Sequence, residues 1–142
     1  MVLEHQEIKQ FLRQRFPFLL VDRIVELELD RAVGIKNVTA TDVALQGHFP
    51  DEPILPGVLL LEAMSQVGGV LLAHDPLLTD KSRGYLAAID KVKFKKFVVP
   101  GDQVVIEATK VAVTATMARV RTLARVAEAE VATGEISYYF AP

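Results

Sequence analysis

Residues 57–73, GVLLLEAMSQVGGVLLA, constrain the fold of this chain of 142 residues more than any other stretch. They follow Pro56, and proline suits the start of a helix because its missing N–H is not needed there. The stretch contains one glutamate, one serine, one glutamine and internal glycines, which favours a buried helix over a membrane span. The sequence therefore predicts one long, central helix.

The remaining chain is predicted mostly as strands. Residues 18–30 alternate between apolar and polar side chains, as a half-buried strand does, and 32–39 can pair back as a hairpin. A short amphipathic helix is predicted at 4–14. Further strands are predicted at 84–98, 103–114, 116–126 and 130–140, with a Pro-Gly-Asp turn at 100–102. These elements predict a single α+β domain over residues 1–142, with an antiparallel sheet and one central helix.

Residues 116–132, TMARVRTLARVAEAEVA, allow two interpretations. Their alanine content is typical of a helix. They also alternate, with Ala118, Val120, Thr122 and Ala124 on the side opposite Arg119. The alternation and the neighbouring strands favour a strand.

Composition excludes several kinds of site. The net charge of −2 gives no bulk indication of nucleic-acid binding, and the absence of cysteine excludes disulfides and thiolate metal sites. His5, His48 and His74 are too scattered to suggest a zinc site, so no metal is expected. Residues 1–17 lack the apolar core of a signal peptide, and a cytoplasmic protein is expected.

His48 lies in a loop that its own sequence stiffens. Pro50, Pro53 and Pro56 recur at every third position, the polyproline II repeat. These prolines can simply join a strand to a helix, with His48 as an ordinary histidine. The alternative is a catalytic base, because a base requires fixed geometry.

Three residues of the predicted helix complete the candidate site. Gly57 at the helix start lets a carbonyl oxygen approach free N–H groups, although a glycine there can also serve only the turn. Glu62 and Gln66 share one helix face, which either faces solvent or lines a polar cavity in which Gln66 hydrogen-bonds Glu62.

Helix geometry separates two of these residues. Gly57 and Glu62 lie about 7.5 Å apart along the axis and about 140° around it, so a carbonyl at Gly57 is poorly placed for Glu62 of the same chain. A dimer that supplies the carboxylate from a second helix solves this problem. Gly68 and Gly69 fit close packing of such a helix on another helix or on a ligand.

The segment KVKFKKF, residues 91–97, is locally basic. Lysines in such a segment often only protect an exposed strand from aggregation. The alternative is a surface for an acidic partner, formed by Lys93, Lys95, Lys96 and Arg121.

Three blocks carry a family resemblance. GHFPDEPILPGVLLLEAMSQ, RFPFLLVDRIVE and AAIDKVKFKKFVVPGDQ resemble, in this order, the FabZ-type (3R)-3-hydroxyacyl-acyl carrier protein dehydratases. The resemblance implies a hot dog fold, a curved antiparallel sheet wrapped around the long helix. It also implies a homodimer, often assembled into a hexamer, with active sites between protomers.

The same resemblance implies the chemistry. His48 and Glu62 correspond to the family's catalytic pair, with Glu62 contributed across the interface, and Gly57 and Gln66 to positioning roles. The implied partner is acyl carrier protein, whose phosphopantetheine arm belongs to the substrate, so no cofactor is expected. FabA-type relatives, which also isomerise the double bond, have aspartate where Glu62 stands.

The sequence also departs from the family pattern. Gln14 and Phe16 replace the usual histidine and tyrosine, and Asp51 replaces a loop glycine. The expected activity is dehydration of 3-hydroxyacyl thioesters to trans-2-enoyl products. The alternatives are a hot dog thioesterase and a non-catalytic subunit that binds acyl carriers.

Overall fold

The structure is a computed structural model that describes residues 1–78 and 83–141. In chain order its elements are α1 His5–Ile8, β1 Arg23–Leu27, β2 Arg31–Asn37, the 3-10 helix Val43–Leu45, α2 Gly57–Ala73, β3 Arg83–Phe94, β4 Gln103–Val113, β5 Met117–Val126 and β6 Ala129–Ala141. The six strands form one sheet in the order β1-β2-β4-β5-β6-β3, and every neighbouring pair is antiparallel. This is the α+β architecture predicted from the sequence.

Helix α2 lies against one face of this sheet and has the predicted bounds. Its Met64, Val67 and Leu71 are fully buried, and Ile106 of β4 and Val120 of β5 are buried in the same core. Burying a side chain of this size contributes about 1.5–3 kcal/mol, so packing on the sheet is what stabilises this helix. Helix and sheet together form the hot dog arrangement expected above.

Strand β5 settles the ambiguous segment in favour of a strand. Ala118, Val120, Thr122 and Ala124 are buried, and the residues between them are exposed or partly exposed. The strand pairs with β4 on one side and β6 on the other. Two ladders of hydrogen bonds and one buried face outweigh the helix propensity of alanine.

The N-terminal elements are shorter than predicted. The helix predicted at 4–14 is regular only over His5–Ile8, and the strand predicted at 18–30 is regular only over Arg23–Leu27. Ahead of β1, the Gln66 side chain donates a hydrogen bond to the Phe18 carbonyl and accepts one from the Leu20 N–H. The backbone of Phe18 and Leu20 thus bonds to a helix side chain, and strand pairing begins only at Asp22, whose N–H donates to the Ile35 carbonyl of β2 at 2.8 Å.

Close packing of Gly68 and Gly69 on another helix or on a ligand was predicted, and within the described chain Gly68 packs instead against its own sheet. A Cβ at this position would lie 2.4 Å from the Tyr138 hydroxyl and 3.0 Å from Val120. Gly68 therefore lets α2 approach its own sheet, and Tyr138 uses the space to donate a hydrogen bond to the Ser65 carbonyl at 2.6 Å.

Within the described residues, no helix combines the length and the apolar character needed to cross a membrane.

Candidate active site

The loop before α2 holds His48 through residue Ile54. The Ile54 N–H donates to the His48 carbonyl at 2.9 Å, and the His48 Nδ1 lies 2.9 Å from the Ile54 carbonyl oxygen. The imidazole also stacks on the Phe49 ring, with centroids 4.3 Å apart. One residue thus fixes both the backbone and the ring of His48.

This contact also determines which nitrogen can accept a proton. A carbonyl oxygen only accepts hydrogen bonds, so the contact with Ile54 requires the proton on Nδ1. The neutral ring then carries its lone pair on Nε2. His48 is therefore arranged as a base whose Nε2 is the accepting atom.

The N-terminus of α2 offers a free donor. Pro56 precedes the helix, and its carbonyl accepts from the Leu59 and Leu60 N–H groups. Within the described part of the chain, the Gly57 N–H has no acceptor. A Cβ at residue 57 would lie 3.2 Å from the Phe94 ring, so glycine permits this close approach. A free N–H at a helix N-terminus suits a developing negative charge.

Glu62 is held by Gln66 one helical turn further on. The Gln66 Nε2 donates to the Glu62 Oε2 at 2.9 Å and to the Phe18 carbonyl at 2.7 Å, and its Oε1 accepts from the Leu20 N–H at 2.9 Å. Gln66 is only 1% exposed, so its hydrogen bonds are shielded from water. Burial raises the pKa of Glu62, and the hydrogen bond from Gln66 partly opposes this.

A cavity of about 360 Å³ lies along the same helix face. Glu62 and Gln66 line it, and Tyr138, whose pKa is raised chiefly by burial, lies in its wall. Its other lining residues are Phe11, Leu12, Arg13, Gln14, Ser65, Gly69, Ala73, Gly84, Leu86 and Phe140. The Glu62 face therefore lines a cavity, and is not a plain solvent-facing stripe.

The structure brings the predicted residues together in two groups. Glu62 and Gln66 share the cavity, whereas His48 and Gly57 belong to the loop and helix start. His48, although within the described chain, is not among the residues that line the cavity. Gly57, also within the described chain, is likewise not among these lining residues, so one chain does not bring the two groups together in this cavity.

Sequence reasoning missed the part played by residues 18–20 and by the last strand. The backbone of Phe18 and Leu20 fixes Gln66, and Tyr138 and Phe140 form part of the cavity wall. The buried polar side chain of Gln66, inside an apolar helix, was the signal that a backbone partner was required.

The three departures from the family pattern have different surroundings. Gln14 lines the cavity, whereas Asp51 is exposed in the loop after His48 and Phe16 is 86% exposed. Only Gln14 is placed to contact a molecule that occupies the cavity.

The basic segment has its own concavity, of about 310 Å³, on β3, β5 and β6. Lys93, Lys95 and Arg121 line it together with Lys91, whereas Lys96 is not among its lining residues. Acidic neighbours offset part of the charge. Lys95 pairs with Glu130 at 2.6 Å and Arg121 with Glu135 at 3.1 Å, and the hydrogen bond from Arg121 lowers the pKa of Glu135.

Comparisons with known proteins identify the family of this chain. The family model described as FabA-like domain matches residues 12–137. A protein named 3-hydroxyacyl-[acyl-carrier-protein] dehydratase FabZ from Caldanaerobacter subterraneus subsp. tengcongensis is 45% identical over 140 residues, covering 98% of this chain and 99% of the relative. A protein of the same name from Streptococcus pneumoniae is 46% identical over 137 residues, covering 96% and 97%.

A solved structure shows the same fold at much lower identity. The dehydratase heterocomplex ApeI:P from Xenorhabdus doucetiae contains a chain that superposes with a TM-score of 0.82 at 16% identity, covering 95% of this chain and 91% of that one.

Proposed function

Because this chain belongs to the FabA-like domain family, we propose that it acts as its FabZ relatives are named, as a 3-hydroxyacyl-[acyl-carrier-protein] dehydratase. The reaction is the removal of water from a (3R)-3-hydroxyacyl thioester to give a trans-2-enoyl thioester, in fatty acid or related acyl-chain biosynthesis. The observation that carries the chemistry is that the chain holds both an imidazole whose Nε2 is left as the accepting atom and, in a separate cavity, a glutamate whose pKa is raised by burial.

His48 is the proposed base. Its Nδ1 donates to the Ile54 carbonyl, which leaves the Nε2 lone pair to take a proton from C2 of the substrate. An imidazole is suited to this step because its ordinary pKa lies close to neutral pH.

Glu62 is the proposed acid. Burial raises the pKa of its carboxyl, which increases the fraction that carries a proton. That proton passes to the departing C3 hydroxyl, directly or through a water molecule, while the C2 electron pair forms the double bond. One proton is taken and one is given, so the reaction needs no electron transfer and no cofactor is proposed.

Gly57 is the proposed donor to the thioester carbonyl. Its N–H lies at the positive end of the α2 dipole, where it can stabilise the enolate that forms when C2 loses its proton. Gln66 has a positioning role, since it links Glu62 to the Phe18 carbonyl and the Leu20 N–H.

The active form is proposed to be a homodimer in which His48 and Gly57 of one chain face Glu62 of its partner. Support comes from the separation of His48 from the Glu62 cavity and from the exposed apolar side chains of β3, Leu86, Ile89 and Phe94. Assembly of dimers into a hexamer and a cytoplasmic location stay predictions from the sequence.

Acyl carrier protein is the proposed partner. The basic segment offers Lys93, Lys95, Lys96 and Arg121 to an acidic carrier. Because Lys95 and Arg121 already have acidic neighbours, Lys93 and Lys96 are expected to contribute more to the net attraction. Replacing Lys93, Lys95 and Lys96 with glutamate should raise KM and flatten its salt dependence. An unchanged KM would contradict this surface.

The proposal is tested by incubating the protein with 3-hydroxybutyryl-carrier protein and measuring the carrier by mass spectrometry. Loss of one water with an intact thioester supports the dehydratase. Release of free carrier thiol would show a thioesterase, and an unchanged carrier over several chain lengths would indicate a subunit that only binds carriers.

A further inference from the structure

We propose that the ion pair between the buried Lys36 and the partly buried Asp42 positions the His48 loop for catalysis. This inference rests on the proposed role of His48 as the base. Neither Lys36 nor Asp42 has a part in the proposed chemistry, and neither lines the cavity that contains Glu62.

Lys36 occupies an unusual place for a cation. It lies on β2 two residues beyond Gly34, where a Cβ would lie 2.7 Å from Val67 of α2, so both residues belong to the face of the sheet that the helix covers. Lys36 is 4% exposed, and its Nζ lies 3.4 Å from Asp42 Oδ2. A buried ammonium without a counter-ion is costly, so the pair holds Asp42 at the end of β2.

Asp42 transmits this constraint to His48 through consecutive hydrogen bonds. Its Oδ1 accepts from the Ala44 N–H at 3.2 Å and its carbonyl from the Leu45 N–H at 3.1 Å, which starts the 3-10 helix. The Leu45 carbonyl then accepts from the His48 N–H at 3.2 Å. Two hydrogen bonds thus connect Asp42 of the ion pair to the backbone N–H of the base.

The far end of the loop is anchored separately. The Leu55 N–H donates to the Val98 carbonyl at 2.8 Å, immediately before α2 begins. If the Lys36–Asp42 anchor is lost, His48 and Ile54 still hold each other and Leu55 stays attached, but the stretch from Asp42 to Leu45 that supports the His48 N–H is released. The imidazole then shifts relative to the Gly57 N–H, which is the distance that the reaction depends on.

A second buried ion pair provides a matched control. Lys110 and Asp75 lie 2.6 Å apart with side-chain exposures of 8% and 9%, against 5% and 17% for Lys36 and Asp42. Asp75 also accepts from the Leu77 N–H, so this pair fixes the turn after α2 and not the His48 loop. Breaking it removes a comparable interaction at a site with no hydrogen-bonded link to the base among the described residues.

The experiment compares kcat and KM on 3-hydroxybutyryl-carrier protein at a temperature where circular dichroism shows every variant folded. Lys36→Met, Asp42→Asn and the double variant should each lower kcat about 10- to 100-fold with KM within about twofold, because a displaced base weakens the reaction step more than binding. The double variant should lose no more than the single variants, since the two residues act as a unit. The control double variant Lys110→Met/Asp75→Asn should lower Tm and leave kcat unchanged.

A second pair of variants separates charge from capping. Asp42→Asn keeps a good N-cap and loses the charge, whereas Asp42→Glu keeps the charge. Recovery of most of the kcat in Asp42→Glu supports the positioning role. If Lys36→Met does not fold, the comparison of Asp42→Asn with Asp42→Glu still tests whether the ion pair positions the His48 loop.

His48→Ala separates the two proposals. An active His48→Ala enzyme contradicts the proposed role of His48 as the base, whereas a wild-type protein that does not dehydrate the carrier contradicts the proposed function. If His48→Ala is inactive but the Lys36 and Asp42 variants keep the wild-type kcat, the positioning role alone is wrong. An equal loss of kcat in the Lys110→Met/Asp75→Asn control would also overturn it, because the loss would then be a general effect of breaking a buried ion pair.

Discussion

At the β1 edge of the sheet, Leu3 exchanges two backbone hydrogen bonds with Ile24, whereas no strand of the described chain pairs with the outer side of β3. The side chains differ in the same way. Leu3 and Ile24 are buried, while Leu86 and Ile89 of β3 are 50% and 40% exposed. An exposed apolar edge of this length promotes association, so proteins normally cover or charge it. The chain covers one edge itself and leaves the other to a proposed second copy.

The largest effect is expected from replacing His48 and Glu62, the two residues that pairing through β3 is proposed to bring together. His48→Ala and Glu62→Gln should each lower kcat about 10²- to 10⁴-fold, the usual contribution of a general base or acid. Mixing the two variants should restore about a quarter of the wild-type rate, since half of randomly paired dimers contain one intact site of two. Steady-state assays before and after mixing measure this.

The control for mixing is each inactive variant on its own, treated identically. If labelled subunits exchange and no activity returns, His48 and Glu62 do not meet across an interface. The dimer can still form in that case, but its role in catalysis would be wrong.

Ile89→Lys tests the uncovered edge directly. A charge in the middle of β3 meets its own copy in a symmetric pair and must be buried there, so the variant should sediment as a single chain and lose about 100-fold in activity. Leu29→Lys, at an exposed residue near the β1 edge, is the matched control and should change neither property. A fully active Ile89→Lys dimer would falsify the pairing through β3.

Leu3→Ala tests the covered edge, where the expected effect is on stability and not on assembly. Removing this buried side chain should lower the free energy of unfolding by about 2–3 kcal/mol, measured by urea denaturation. Val2→Ala, at an exposed neighbour, should have little effect. Sedimentation of Leu3→Ala should match the wild type, and a loss of dimer would mean that the two edges do not have separate roles.

The smallest of the expected effects is the change of Tm with pH that the ionisation of Glu62 causes. Its pKa is raised in the folded chain, so its contribution to stability is complete below the pKa of the unfolded chain and is lost as pH rises through the folded value. Relative to Glu62→Gln, the wild type should therefore lose Tm as pH rises over this range. In the Ile89→Lys single chain the effect should be smaller, because a dimer buries the carboxyl further. An equal pH dependence in both backgrounds would mean that the partner does not cover Glu62.

Much of the fold was predictable because burial follows local patterns. Proline at residue 56 and an apolar run gave the bounds of α2, and the alternation from Ala118 to Ala124 identified β5. The extent of β1 was not predictable in this way. Whether residues 18–20 pair with a strand depends on Gln66, which lies more than 40 positions away.

The candidate site was predictable where residue type alone limits the chemistry, as for His48 and Glu62. The basic segment shows where this fails. Lys95 meets Glu130 and Arg121 meets Glu135 through the register of β3, β5 and β6, and sequence spacing does not reveal that register. The approach of Gly68 to Tyr138 depends on the sheet in the same way.

The hydrogen bonds of Gln66 have a stereochemical consequence. Its oxygen faces the Leu20 N–H, so both of its N–H groups are committed, one to the Phe18 carbonyl and one to Glu62 Oε2. Oε2 already accepts a hydrogen bond, so a protonated Glu62 carries its hydrogen most favourably on Oε1. For the proposed acid, this means that the proton is offered to the C3 hydroxyl from Oε1. We therefore expect the enzyme to discriminate between the two mirror-image hydroxyl groups at C3, with the buried amide of Gln66 fixing the proton donor.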